Sequence, residues 1–164
     1  MAVTRYLTPL LLALSLLFTA CSDKSGQTAP NVEFTALDGS VFTTEDLRGK
    51  VVIVKFWATD CTTCVAQMPD TIARYQRFSD QGFDTIAVAM KHDPESYVRN
   101  FTKSRELPFT VAMDSDGNIA KAFGDVKMTP TTLLIDKKGN IIKRYLGNYD
   151  EEKLIATIKK ALHA

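Results

Sequence analysis

The sequence predicts an α/β fold, a mixed central sheet flanked by helices, and three observations predict it. Residues 51–57 (VVIVKFW) form a short, largely β-branched apolar run of the kind that makes a strand buried on both faces. Runs of this kind alternate with stretches whose apolar residues recur at helical spacing, the pattern of parallel strands joined by helices. Towards the end, residues 131–136 and 140–146 alternate in polarity around Lys137-Lys138-Gly139, an antiparallel hairpin that makes the sheet mixed. With 164 residues, 45% of them hydrophobic, the chain can build one domain with a sizeable core.

The first residues stand apart from that domain. After Arg5 comes an apolar run, residues 7–18, broken by Thr8, Pro9 and Ser15. It is shorter than the ~20 residues a membrane-spanning helix needs and has the form of the apolar core of a secretory signal peptide. Leu17-Phe18-Thr19-Ala20-Cys21 resembles a bacterial lipobox, with Phe18 where leucine is usual. The expectation is a lipoprotein signal peptide over residues 1–20, lipidation of Cys21, and a flexible tether of small polar residues over 21–30. The alternative is ordinary cleavage beside a stray exported cysteine. Setting Arg5 aside with the leader leaves nineteen basic side chains against nineteen acidic ones. No basic patch points to nucleic acid.

Within the domain, residues 31–164, the elements follow in order. A hairpin is expected over residues 32–36 and 41–43, turning at Asp38-Gly39. A short helical turn at residues 44–47 is stopped by Gly49. The strand 51–57 leads into a helix running to about Ser79, with a kink at Pro69. Residues 83–90 form the next buried strand, and Asp93-Pro94-Glu95 starts a helix that ends before Pro108. A short strand, 109–113, a turn at 114–118 and a short helix, 119–123, lead to the closing hairpin. Residues 150–162 make an amphipathic helix with Leu154, Ile155, Ile158 and Leu162 on one side.

The chemistry centres on Cys61 and Cys64, where the strand turns into the helix. Their spacing puts both sulfurs on one face of the first helical turn, close enough to bridge. Free N–H groups and the positive dipole end favour a thiolate there. The same pair also fits half of a zinc site, but zinc needs four ligands, and Cys21, His92 and His163 do not stand at ligand spacing. A static disulfide closing so short a loop stabilises little.

Val-Lys-Phe-Trp-Ala-Thr-Asp-Cys-Thr-Thr-Cys (54–64) resembles the active-site strand and turn of the thioredoxin superfamily, and more closely its TlpA/ResA-like membrane-anchored branch. Thr129-Pro130-Thr131 before Leu133-Leu134-Ile135 resembles that family's cis-proline loop, and Leu47-Arg48-Gly49-Lys50 its lead-in. The resemblance implies a thioredoxin-like fold, with a helix–strand insertion between Tyr97 and Met113, and a thiol–disulfide oxidoreductase with no cofactor beyond the Cys61–Cys64 disulfide. It implies Cys61 as nucleophile and Cys64 as resolving thiol. Pro130, in the cis form, would present a backbone edge to the substrate beside Thr129, and Trp57 and Ala58 would floor the site. It further implies a monomer in the bacterial cell envelope, facing the periplasm or the outer face of the cytoplasmic membrane. Its partners would be exported disulfide proteins, in the manner of cytochrome c maturation, and a membrane thiol reductase supplying electrons.

Departures from the family carry information. Asp60 replaces the usual aromatic residue before the first cysteine. At roughly 7 Å and an effective dielectric near 40 its charge would oppose a Cys61 thiolate by about 1.2 kcal/mol, comparable with the ~0.3–2 kcal/mol that a helix terminus contributes. A less stabilised thiolate means a more reducing pair. Lys55 and Gln67 stand where relatives carry buried acids, so proton transfer for Cys64 is expected to pass through water, Lys55 or Gln67. His92 falls at the rim beyond a strand's C-terminal end. Two rivals remain: a peroxiredoxin-like peroxidase, whose signature proline and hydroxyl positions are here Val54 and Ala58, and a non-enzymatic lipoprotein binding apocytochrome or metal.

Overall fold

The computed structural model describes residues 27–164. These residues form eight strands and five helices. β1 (Gln27–Thr28), β2 (Glu33–Thr35) and β3 (Val41–Thr43) precede β4 (Val51–Trp57). Then come α1 (Thr62–Ala66), α2 (Met68–Phe78), β5 (Phe83–Ala89), α3 (Glu95–Ser104), β6 (Thr110–Met113) and α4 (Asn118–Ala122). β7 (Thr131–Ile135), β8 (Asn140–Leu146) and α5 (Glu151–Leu162) complete the chain. Among these residues no helix is long and apolar enough to cross a membrane.

The main sheet runs β1-β8-β7-β4-β5-β6, with β4, β5 and β6 parallel and β7 antiparallel to β4. β4 lies at its centre, and all seven of its residues are buried. Alternation divides them between two faces. Val52, Val54 and Phe56 pack with Phe34 of the β2–β3 hairpin and with Ile119 and Phe123. Val51 and Ile53 meet Phe78, Leu154 and Ile158 under α2 and α5, and Trp57 meets Cys64, Met68 and Val98. Lys55 therefore sits on the helix-covered face, between those last two clusters. Each large apolar side chain of β4 contributes roughly 1.5–3 kcal/mol on burial, which together offset the several kcal/mol that desolvating one lysine costs.

Two expectations need correction. The predicted single helix with a kink at Pro69 is two helices, broken at Gln67. Pro69 has no N–H, and its ring would strike the carbonyl four residues back, so it occupies the first turn of a new helix instead. The second correction falls on the tether. Gln27 and Thr28 pair with Ile141 and Asn140 at the start of β8, and Ala29 is buried behind them. Two residues of edge pairing leave no periodic signal in a polar stretch. The leader and Cys21 lie outside the described residues.

The hairpins behave as their turns require. Gly139 closes β7–β8 with φ +82°, and the Arg48 guanidinium lies where a Cβ would project. A side chain there would be strained by its backbone and would displace Arg48, which donates to the Lys138 carbonyl.

Candidate active site

β4 ends at Trp57, and the chain turns through residues 58–60 into α1 at the C-terminal edge of the parallel strands. Asp93 fixes that turn: its carboxylate accepts from the Thr59 N–H at 2.6 Å and the Thr59 hydroxyl at 2.7 Å. Asp93 is buried, only 4% exposed, and its role was not visible in the sequence, where Asp-Pro-Glu reads as a helix start. These two part-buried hydrogen bonds to a carboxylate hold the loop before the cysteines to the loop after β5.

Cys61 and Cys64 are joined as a disulfide with their Cα atoms 5.2 Å apart. Cys61 is half-buried and caps α1, its Sγ accepting from the Cys64 N–H at 3.2 Å. Cys64 is fully buried. The two sulfurs are thus unequal: one reachable and facing an amide donor, the other enclosed. Because α1 spans five residues, its macrodipole is small, and this single N–H is the sharper source of thiolate stabilisation.

Around the pair, Trp57 is fully buried against Phe101, their ring centroids 5.1 Å apart. Its indole N–H has no hydrogen-bond partner among the described residues. Ala58 is buried beside it. The Thr129–Pro130 peptide is cis. β7 starts with Thr131 opposite Phe56, so Pro130 lies alongside the cysteine end of β4. The Pro130 carbonyl accepts from the Gly147 N–H at 2.8 Å, leaving the side of Thr129 and the exposed Met128 as the open edge of this loop.

Asp60 points outward, its side chain 74% exposed, and meets His92, whose Nε2 is 3.6 Å from Oδ1. Residues read separately in the sequence thus share one rim of the site. Behind the cysteines Lys55 and Gln67 also come together: Lys55 Nζ donates to Gln67 Oε1 at 2.7 Å. The Gln67 amide donates onward to the Gly147 carbonyl at 3.1 Å. Burial, and then the Arg74 guanidinium, push the Lys55 ammonium down to about 7, only partly offset by Glu151. Arg74 is itself buried, and its Nη1 donates to both Glu151 carboxylate oxygens at 2.6 and 2.7 Å. Burial chiefly raises the Tyr149 phenol beside it, against the pull of the Arg74 charge.

This arrangement can pass a disulfide: an accessible sulfur receives attack, and an enclosed one leaves and returns. Comparison with known proteins agrees. The Redoxin family model matches residues 24–162. The thiol-disulfide oxidoreductase ResA of Bacillus thuringiensis subsp. konkukian is 36% identical over 135 residues, 82% of this chain and 77% of the relative. Among solved structures, a thiol:disulfide interchange protein of the thioredoxin family from Chlorobium tepidum superposes with TM-score 0.77 at 27% identity. It covers 86% of this chain and 99% of its own. The pneumococcal exposed lipoprotein thioredoxin of Streptococcus pneumoniae gives TM-score 0.69 at 27% identity, covering 79% and 98%.

Proposed function

The chain belongs to the Redoxin family and is a thiol–disulfide oxidoreductase of thioredoxin-like fold, and from that premise we propose that it works in the reducing direction on disulfides of exported proteins. The observation that carries the reading is the inequality of the two sulfurs, Cys61 at the accessible cap of α1 and Cys64 enclosed. Cys61 attacks the substrate disulfide, and Cys64 then attacks Cys61 in the mixed disulfide and releases the reduced substrate. Asp60 favours this direction, because a carboxylate beside Cys61 opposes its thiolate and so disfavours the reduced site. Trp57 and Ala58 floor the approach, and a substrate chain lies along Met128, Thr129 and Pro130. Lys55 and Gln67 pass the proton that Cys64 gains and loses.

In this reading the protein is a monomer anchored by lipid on Cys21 in the bacterial cell envelope, re-reduced by a membrane thiol reductase. Its substrates include apocytochrome c. The similarity to an exposed lipoprotein thioredoxin supports the anchor. The test is a Cys64→Ser trap expressed in cells. The membrane fraction should yield the chain with a diacylglyceryl adduct on Cys21, in mixed disulfides between Cys61 and exported proteins. Cys61→Ser should trap nothing. Adducts carried by Cys64 in the Cys61→Ser protein would reverse the roles, and a soluble, unmodified Cys21 would remove the anchor.

A further inference from the structure

Lys55 is fully buried in the middle of β4, between Ala87 on β5 and Thr132 on β7. An ammonium has three N–H groups to satisfy, and among the described residues the one acceptor it meets is Gln67 Oε1. The groups facing it from the surrounding elements are few. Arg74 on α2 is a like charge. Glu151 on α5 is occupied by Arg74. Tyr149, before α5, offers its ring, with Nζ 5.7 Å from the centroid. Among the described residues Lys55 takes part in no salt bridge, so its charge is uncompensated by a direct partner.

The cysteine pair is close at hand. Gln67 follows Cys64 by one helical turn, so the two side chains are neighbours on one face, about 5–6 Å apart at Cβ. Trp57, two residues along β4 and on the same face as Lys55, packs in one cluster with Cys64. The other buried acids or bases are committed. Asp93 holds Thr59, Asp114 accepts from the amides of Ile119 and Ala120 at 2.9 Å, and Arg74 is paired with Glu151. Lys55 is thus the buried group free to change its charge behind the sulfurs.

We propose that Lys55 and the cysteine pair titrate as one unit, Lys55 taking up a proton when the disulfide is reduced. This rests on the reading of Cys61 as the sulfur left ionised. A partner dithiol supplies two electrons and two protons and becomes a disulfide, while the Cys61–Cys64 bond breaks. One proton goes to Cys64, the other to the Lys55 amine, and Cys61 remains a thiolate. The new negative charge favours the ammonium, and by reciprocity the ammonium favours the thiolate. A lysine at this place gives a reduced site with no net charge change, which a low-dielectric interior tolerates best.

The test is the reduction potential measured against glutathione or dithiothreitol from pH 5.5 to 9.5, for the parent and for Lys55→Met. Thiols ionise in the reduced protein and can only flatten the fall of potential with pH. A base that loses its proton in the oxidised protein steepens it. The parent should therefore steepen as pH rises through about 7. One extra proton for two electrons is tenfold in the exchange constant per pH unit, or 29.6 mV. Lys55→Met should show flattening alone. Should that variant fail to fold, the parent with 13C-labelled lysine decides by NMR, Lys55 titrating at higher pH in the reduced than in the oxidised protein. A parent curve that never steepens, or a Lys55 titration indifferent to redox state, overturns the proposal. A failure of the reducing direction would show instead in the absolute potential, lying near that of the strong oxidant DsbA rather than that of thioredoxin.

Discussion

Glu151→Gln removes the carboxylate from a buried cation and leaves everything else in place. The Arg74 side chain has no exposed surface, and its Nη1 gives both its short contacts to Glu151. Among the described residues its remaining contacts, to Thr71 Oγ1 at 3.3 Å and the Tyr149 hydroxyl at 3.4 Å, are long, and its Nε has no partner. Removing one member of a buried pair costs about 3–5 kcal/mol, whereas fully exposed pairs are worth about 0–1 kcal/mol. Glu151 is 30% exposed, so water reaches one side of the pair. The expected loss is about 2–3 kcal/mol, below the buried limit and well above the surface one. With a slope of about 2 kcal/mol per molar urea, the unfolding midpoint of the oxidised protein should fall by about 1–1.5 M with the slope unchanged. Glu151 also holds the Lys55 ammonium up. Lys55 goes from 10.5 in the unfolded chain to about 7 in the fold, so between those values the unfolded chain binds more protons. Stability must then rise with pH across that window, by at most about 1.4 kcal/mol per unit. In Glu151→Gln the rise should begin at lower pH. A loss under about 1 kcal/mol would refute the estimate. So would an Arg74→Met, Glu151→Met double variant no more stable than Glu151→Gln, since an apolar replacement of the whole pair should be nearly neutral.

Two further outcomes are expected. Asp93→Ala should cost about 2–3 kcal/mol, the value of hydrogen bonds to a charged group, and should release the Thr59 amide to rapid hydrogen exchange; an unchanged exchange rate would show that the turn holds itself. Asp60→Asn should favour the reduced form only slightly. At 74% exposure the dielectric is close to that of water, and at roughly 7 Å the charge is worth about 0.6 kcal/mol, near 13 mV in a glutathione titration. A shift above about twice that would mean that Asp60 acts on Cys61 by more than its charge.

What the sequence disclosed was what local pattern and spacing encode. β4 announced itself through its unbroken β-branched run, and the amphipathic period of α5 gave its buried face. Cys61 and Cys64 could be placed at a helix start because strand and helix signals meet there. Contacts between distant segments were not written locally. Asp60 and His92 meet only because β4 and β5 are parallel neighbours whose trailing loops share an edge. Gln67, one helical turn after Cys64, was named beside Lys55 in the sequence, but that the two side chains bond each other was not. Lys55 itself stood in plain view as the polar residue in an apolar strand. What it touches, Gln67 and the Tyr149 ring, and the charges of Arg74 and Glu151 that act on it all lie further along the chain.

The pairing of β1 with the first residues of β8 determines how the domain is held. β8 begins where β7 ends, and Ile135 of β7 stands opposite Val52, at the start of β4, whereas the cysteines follow its finish. The chain therefore enters the domain at the pole opposite the redox pair, separated from it by the length of β4, roughly 20 Å. The residues from Cys21 to Gln27 span at most about 20 Å when extended. A lipid at Cys21 would then hold the domain by its base, close to the bilayer, with the sulfurs directed away from the surface. Such mooring suits soluble clients arriving from the aqueous side. A donor embedded in the same membrane would have to bring its own thiols up and over, or meet the domain lying on its flank.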